Sequence, residues 1–233
     1  MDDRKTTALF KVPQPQVAIN GSDRKFPVHR IYCVGRNYAA HARESGADPD
    51  REAPFYFMKP ADAIMPNDSR VPFPPRTEDL HHEIELVVAI GKGGRDIAVE
   101  EASGHIFGYA AGIDLTRRDL QTEAKNAGRP WDTSKGFDHS APVGAIHRTE
   151  HVGHPARGRI WLEVNGKLRQ NGDLEELIWS VPEALAELST LFALVPGDLV
   201  FTGTPAGVGP LRRGDRVRGG VDGVDEIRIA ISD

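Results

Sequence analysis

The chain has 233 residues and a formal charge of −5, and its single cysteine, Cys33, excludes an intramolecular disulfide and a zinc site built on paired cysteines. No run of basic residues exceeds two, so we expect no nucleic-acid partner. No stretch approaches the roughly 18 apolar residues of a membrane-spanning helix, and the polar start lacks the apolar core of a signal peptide. We therefore expect a cytoplasmic protein with no membrane attachment.

The distribution of glycine and proline predicts the fold class. The 24 glycines and 17 prolines are spread along the whole chain, which favours many short strands over long helices. Residues 1–29, with prolines at 13, 15 and 27, are predicted to form an N-terminal arm that holds a short strand or two. Residues 30–233 are predicted to form one β-rich α+β domain, because helical patterns do not alternate with the strands.

Hydrophobic patterning places the elements in chain order. Apolar runs bounded by turn residues predict strands at 30–35, 83–90, 106–113, 160–164, 199–202, 216–218 and 226–231. Asn165-Gly166 is a strong signal for a tight hairpin turn. Apolar residues at helical spacing predict helices at 116–125 and 181–194, with a third, short helix at 38–45.

Two glutamates at the start of the strand 83–90 indicate a metal site. Glu83 and Glu85 are two residues apart, so both side chains project from one face of the strand. Like charges near a core repel, and one carboxylate would protonate unless a cation lies between them. The alternative is a solvated pair on an edge strand, because glutamate generally prefers the surface.

Asp114 strengthens the prediction, because it stands where the apolar strand 106–113 ends. Its alternative role is to cap the following helix. If Asp114 joins the glutamates, three hard carboxylate oxygens suit Mg²⁺, Mn²⁺ or Ca²⁺ and leave positions open for water and substrate. His81 shares the face of the two glutamates, so zinc is a minor alternative.

A second candidate group is His41 with Glu44. On a helix these residues lie on one surface, where the carboxylate can orient the imidazole and raise its basicity. The pair would then form a general base able to take a proton from water. The alternative is a solvated pair on an exposed helix.

The glycine-rich run 201–210 does not fit a nucleotide-binding loop. It lacks the lysine and the Ser/Thr of a phosphate loop, its glycines do not fit GxGxxG, and Pro210 opposes a following helix. We predict a strand followed by a rigid loop that presents Thr204. No GxSxG motif occurs, and Cys33 lies in an apolar strand, which indicates a core residue rather than a nucleophile.

From about Ile31 to the C-terminus the chain carries, in order, the segments VGRNYAAHARE, FMKP, HHEIEL, GYAAGIDLTRRDLQ, GRPWDTSKGFDHSAP, WLEVNG and PGDLVFTGTPAGVGP. In these segments it resembles the fumarylacetoacetate hydrolase family, and within it the small acylpyruvate hydrolases that include fumarylpyruvate hydrolases. The resemblance implies a mixed β-sandwich roll, a homodimer, and Mg²⁺ or Mn²⁺ held by Glu83, Glu85 and Asp114. These are the three residues that spacing alone nominates.

The resemblance also implies roles for other residues. It implies that His41 and Glu44 activate water on a short helix that becomes ordered when substrate binds. Further residues match family positions at or near the substrate, and they are Lys135, Gln121, Thr204, Lys59, Arg36 and Tyr38. Of these, Lys135 with Gln121 would stabilise negative charge on an oxygen of the reacting group.

The activity that the resemblance implies is metal-dependent hydrolysis of a carbon–carbon bond in a 3-acylpyruvate, a small 2,4-dioxo acid. Fumarylpyruvate, which gives fumarate and pyruvate in gentisate-type aromatic catabolism, is the expected substrate. Alternatives on the same metal site are decarboxylation of oxaloacetate and isomerisation or decarboxylation of a 2-oxo-dienoate. A non-catalytic role would give no reason to assemble three carboxylates around a cation.

Overall fold

Strands dominate residues 9–44 and 52–233, which are the residues that this computed structural model describes. The strands are β1 (Gln16–Ala18), β2 (Lys25–Pro27), β3 (Ile31–Gly35), β4 (Phe55–Lys59), β5 (Ile64–Pro66), β6 (Ser69–Pro72), β7 (Leu80–His82), β8 (Ile84–Ile90), β9 (Ile106–Ile113), β10 (Thr116–Arg117), β11 (Ala141–Val143), β12 (His147–Arg148), β13 (Arg159–Val164), β14 (Lys167–Asp173), β15 (Leu199–Phe201), β16 (Gly209–Leu211), β17 (Arg216–Val221) and β18 (Asp225–Ser232). The α-helices are α1 (Ala39–Glu44), α2 (Val99–Ala102), α3 (Arg118–Asn126), α4 (Asp132–Lys135), α5 (Thr149–Val152) and α6 (Val181–Leu191). Within these described residues, no helix has the length and apolar character needed to cross a membrane.

The strands form two large sheets and two small ones. The largest has the order β4-β3-β15-β8-β9-β11-β5, with β12 paired to β9, and a five-stranded sheet has the order β14-β13-β17-β18-β6. Most neighbours are antiparallel, but β3 with β15, β5 with β11 and β6 with β18 are parallel. This mixed, strand-rich arrangement confirms the predicted α+β class.

The central strand β8 of the eight-stranded sheet is buried on both faces. Ile84, Leu86 and Val88 point toward the five-stranded sheet and α6, where they join the larger apolar cluster. Val87 and Ala89 point the opposite way, into a second cluster. A strand that is covered on both faces gives a continuous apolar run rather than an alternating one, as the sequence 84–90 does.

The hairpin of β1 and β2 covers the second face. Val17, Phe26 and Val28 belong to the same buried cluster as Cys33, which lies on β3 between β4 and β15 and is wholly buried. Burial raises the pKa of the Cys33 thiol well above its usual range. The interpretation of Cys33 as a core residue is confirmed. Residues 1–8 of the predicted arm lie outside the described residues, and the division at residue 29 stays a prediction.

Three predicted elements differ from the structure at their ends. The segment predicted as a helix from 116 begins with the short strand β10, and α3 starts at Arg118. The helix predicted over 181–194 ends at Leu191, because the extended Phe192 turns its ring onto Tyr32, 5.0 Å away. The helix predicted over 38–45 is α1, whose last predicted residue, Ser45, lies outside the described residues.

The remaining strand and turn predictions are confirmed to within a few residues. Asn165 and Gly166, with φ of 53° and 73°, form the turn between β13 and β14. The strand predicted over 83–90 is β8, which starts one residue later, so Glu83 lies between β7 and β8.

His82, the buried last residue of β7, makes the free energy of unfolding depend on pH. Nδ1 of His82 is 2.9 Å from Oε1 of Gln170, which also accepts the backbone N–H of Ile84. Burial lowers the pKa of His82 from 6.5 to about 4. We expect the free energy of unfolding to fall by about 3 kcal/mol between pH 6.5 and 4, because only the unfolded imidazole takes up a proton there.

Chemical denaturation in a chelating buffer from pH 7 to pH 4.5 measures this effect. His82→Gln is the matched variant, because its amide can still donate to Gln170 without titrating. The wild-type stability should fall faster with acid than that of His82→Gln. Parallel curves would contradict the assignment.

Candidate active site

Three carboxylates meet at the adjoining ends of β8 and β9. Residues 84 and 113 are paired across these strands, and the backbone N–H of Asp114 donates to the carbonyl of Glu83 at 2.8 Å. Glu85 follows on the same face, opposite Gly112. A carboxylate oxygen from each of the three side chains lies within 4.8 Å of the others.

Burial decides between the sequence interpretations of this group. Glu83, Glu85 and Asp114 are 4%, 2% and 0% exposed. The alternative of a solvated glutamate pair is therefore wrong. The alternative of Asp114 as a helix cap is also wrong, because the residue that precedes α3 is Arg117.

Cations surround the carboxylates. Nζ of Lys135 is 2.8 Å from Oε2 of Glu83 and 2.6 Å from Oδ2 of Asp114. Arg118 pairs with the other oxygen of Glu83. Although burial raises the pKa of Glu83, Lys135 and Arg118 together hold it well below its usual range. Lys59 lies behind the group, with Nζ 2.8 Å from Oδ1 of Asp114.

Glu85 forms no such ion pair among the described residues. Its Oε2 accepts the backbone N–H of Gly203 at 2.6 Å. Burial, together with the charges of Asp114 and Glu83, raises the pKa of Glu85 well above its usual range. The charges of Asp114 and Glu83 therefore disfavour ionisation of Glu85, and a cation among the three carboxylates would relieve this repulsion.

These residues fit a divalent cation. An oxygen of each buried carboxylate lies close enough to the other two for a single ion to contact all three. Three hard oxygen donors in one group are the ligands that Mg²⁺ and Mn²⁺ prefer. His81, the minor zinc candidate, is not part of the group, since its Nε2 pairs with Asp79 at 2.9 Å.

The carboxylates line a cleft with an empty volume of about 390 Å³. Its walls come from β3 and α1, from the ends of β8 and β9, from α3 and α4, and from the loop after β15. The sequence-predicted residues that the structure brings together here are Arg36, His41, Glu83, Glu85, Asp114, Gln121, Lys135 and Thr204.

His41 is held at the cleft wall by α1. It is buried, and its Nδ1 is 3.5 Å from Oε2 of the half-exposed Glu44. Glu44 in turn accepts the backbone N–H of Gly207, at 2.9 Å for one oxygen and 3.1 Å for the other. Burial lowers the pKa of His41, so its imidazole is neutral at pH 7. The burial of His41 excludes the alternative of a fully solvated pair.

Three predicted residues do not line the cleft, and one of them, Glu44, is connected to it through His41. Tyr38 is buried within the larger apolar cluster. Lys59 lies on the far side of Asp114 and also donates to the backbone carbonyls of Leu115 and Lys135. A direct contact of Tyr38 or Lys59 with substrate stays a prediction.

Sequence reasoning missed Arg118, Lys125 and Trp131, which also line the cleft. Arg118, Gln121 and Lys125 have the spacing i, i+3 and i+7, which places all three on one face of α3. That spacing is the signal that could have found them. Arg118 donates to Oε1 of Gln121 at 2.6 Å, so the amide nitrogen of Gln121 remains available as a donor.

The backbone conformation and close packing at position 203 require glycine. Its φ is 102°, and an added Cβ would lie 2.7 Å from Cβ of Asn37. Asn37 cannot give way easily, because its side chain bonds the backbone of Trp179 and Thr202. We expect Gly203→Ala to lower the free energy of unfolding by about 2 kcal/mol or more through strain and contact.

Gly214→Ala is the matched control in a denaturation experiment. Gly214 has a similar φ of 89°, but an added Cβ meets nothing within 4 Å. The Gly203 variant should therefore be the less stable of the two. Equal losses would show that the contact with Asn37 does not constrain this loop.

A family comparison and a structural comparison point to the same group of proteins. Residues 30–231 match the family described as fumarylacetoacetate (FAA) hydrolase C-terminal. The crystal structure of fumarylpyruvate hydrolase from Pseudomonas aeruginosa in complex with Mn²⁺ and pyruvate has a TM-score of 0.95 and 52% identity, covering 97% of this chain and 99% of that one.

Two curated relatives carry different activities. A fumarylpyruvate hydrolase of Ralstonia sp is 44% identical over 79% of this chain and 95% of its own length. A mitochondrial oxaloacetate tautomerase of Mus musculus is 42% identical over 86% of this chain and 90% of its own length. The chain is therefore similar to relatives with two different activities, and the substrate of each relative is a small 2-oxo acid.

Proposed function

Because this chain belongs to the fumarylacetoacetate hydrolase family and is a hydrolase of carbon–carbon bonds, we propose that its substrate is a 3-acylpyruvate, and specifically fumarylpyruvate. The family membership also confirms the fold type expected from the motifs. The observation that carries the proposal is the meeting of a buried carboxylate group with a neutral histidine in one cleft.

Glu83, Glu85 and Asp114 would hold a divalent cation, for which we propose Mg²⁺ with Mn²⁺ as a substitute. When bound, such an ion supplies Lewis-acid stabilisation of negative charge on a 2-oxo acid. The chain's own residues supply the remaining chemistry.

His41 is placed to act as the general base. Glu44 on its Nδ1 side favours the tautomer that carries the Nδ1 proton, which leaves Nε2 free to accept a proton from water. The oxygen of that water would add to the 4-oxo carbon of the substrate. The bond between C3 and C4 then breaks and its electron pair passes to pyruvate as the enolate, which takes up one proton to give pyruvate, while the acyl part leaves as a carboxylic acid.

Gln121 and Lys135 would stabilise the negative charge that develops on the 4-oxo oxygen. The amide nitrogen of Gln121 remains free for this contact. The three N–H bonds of Lys135 are occupied by Glu83, Asp114 and Thr116. Lys135 can therefore donate to the 4-oxo oxygen only if a bound cation takes over its contact with Glu83 or Asp114. Thr204, held by Gln170 at 2.8 Å, and Arg36 are proposed as further substrate contacts.

The test is pyruvate release from fumarylpyruvate, acetylpyruvate and oxaloacetate, each with added Mg²⁺ or Mn²⁺ and after chelation. We expect metal-dependent hydrolysis that favours fumarylpyruvate and that returns when metal is restored. Full activity after chelation would contradict the metal role. Release of pyruvate from oxaloacetate alone would indicate that the enzyme is a decarboxylase rather than a hydrolase.

The second candidate function is interconversion of the keto and enol forms of oxaloacetate, which the similarity to the mouse tautomerase favours. This reaction moves a proton at C3 and needs no attacking water. Loss of the enol absorbance of oxaloacetate without pyruvate release would identify it. We further propose a cytoplasmic homodimer, for which gel filtration with light scattering is the direct test of assembly.

A further inference from the structure

We propose that Arg36 and Lys125 form a subsite for a second carboxylate, carried by the acyl group of the substrate. The enzyme would then select acylpyruvates derived from dicarboxylic acids over those with a short neutral acyl group. This inference rests on the proposed function and assigns recognition of the acyl group to residues outside the metal and water-activating groups.

Charge pairing distinguishes these two cations from the others in the cleft. Arg118 and Lys135 are paired with the carboxylate group. Within the part of the chain that the structure describes, neither Arg36 nor Lys125 has a carboxylate partner. Nε of Arg36 is buried and has no hydrogen-bond partner at all. Two unpaired cations in one cleft favour an anion as the missing partner.

Aromatic rings hold the two cations in place. The guanidinium of Arg36 is 5.6 Å from the centre of the Phe55 ring, and the ammonium of Lys125 is 5.1 Å from that of Trp131. Phe55 and Trp131 contact each other edge to face, with ring centres 5.4 Å apart. The two positive groups therefore flank one aromatic pair, which limits their movement without neutralising them.

The same rings connect this subsite to the carboxylate group. Phe57 lies 5.9 Å from Trp131 and 5.0 Å from the ammonium of Lys135, and both rings line the cleft. A ligand in the cleft thus meets carboxylates and their cations at one end, an apolar wall in the middle and unpaired cations at the other. A flat unsaturated chain with a carboxylate at each end is complementary to that order.

The environment of Lys125 supports an anionic ligand. Burial, with the positive charges of Arg118 and Arg36, lowers the pKa of Lys125 from 10.5 to about 8. A lysine that loses affinity for its proton among other cations is stabilised by a bound anion. Among the described residues, the charge of Glu83 acts in the opposite direction but does not offset this effect.

The test compares kcat/KM for fumarylpyruvate and acetylpyruvate in the metal-loaded enzyme. We expect Lys125→Met to lower kcat/KM for fumarylpyruvate by about 30-fold, through KM more than kcat, because one charged hydrogen-bond partner is lost. Acetylpyruvate, which has no second carboxylate, should change by no more than about threefold. Lys125→Arg should recover most of the loss, and the exposed Lys167→Met serves as the charge-matched control.

Two results overturn the inference, and they are distinguishable. If Lys125→Met slows both substrates equally, the lysine contacts their shared pyruvate portion or acts structurally, and the proposed function stands. If the wild-type enzyme hydrolyses neither substrate, the proposed function fails and the inference with it. Arg36→Met removes the other cation and keeps the test decisive if the first variant does not fold, since it should show the same selective loss.

Discussion

Replacing His41 with alanine should lower kcat for fumarylpyruvate hydrolysis by about a thousandfold, which is the usual contribution of a positioned general base. The affinity for Mn²⁺ should change little, because His41 is not one of the three grouped carboxylate residues. Steady-state kinetics and calorimetric metal titration measure the two quantities separately.

The pH profile gives this prediction a second readout. A general base must be deprotonated, so kcat/KM should fall as the pH drops through the pKa of His41, which burial places below 6.5. That acidic limb should be absent from the residual activity of His41→Ala. Arg43→Ala, on the exposed side of the same helix, is the control and should retain activity. Full activity of His41→Ala would favour a reaction without activated water, such as decarboxylation.

Replacing Lys135 with methionine should cost about 3–5 kcal/mol of unfolding free energy in the absence of metal. The reason is that Glu83 and Asp114 would both lose a buried counter-charge at hydrogen-bond distance. Methionine preserves most of the volume, so the loss reports charge rather than packing. Denaturation in a chelating buffer measures the effect.

Saturating Mn²⁺ should recover part of this loss, because a dication in the same group replaces the missing positive charge. Lys167→Met removes an exposed lysine and should leave stability unchanged. A Lys135→Met protein as stable as the wild type without metal would mean that the carboxylates do not need this ammonium, for example because they share a proton.

The sequence was informative where side-chain direction follows from strand geometry. Glu83, just before β8, and Glu85, within it, are two residues apart and share a face, and Asp114 joins them because two neighbouring antiparallel strands bring their adjoining ends together. The apolar run 84–90 predicted a strand, and covering on both faces explains why it does not alternate.

The contacts that the sequence did not predict, including that of the predicted site residue Lys59, depend on tertiary structure. Nothing in the local pattern near Lys59 shows that it approaches Asp114 from behind, because β4 and β9 are not neighbours in the sheet. Lys125 was overlooked for a different reason, since its helical spacing with Arg118 was present but the pattern alone did not show what that face meets. The end of α6 was misplaced because Phe192 favours packing against Tyr32 over another helical turn.

The position of Cys33 offers a practical consequence for all of these variants. The thiol lies on β3, which is paired on both sides with β4 and β15 in the largest sheet, and its raised pKa keeps it protonated. A thiol reagent can therefore modify it only when β3 separates from its neighbours. The labelling rate of this one native thiol reports how often the sheet opens, so the stability of each variant can be followed without an engineered probe.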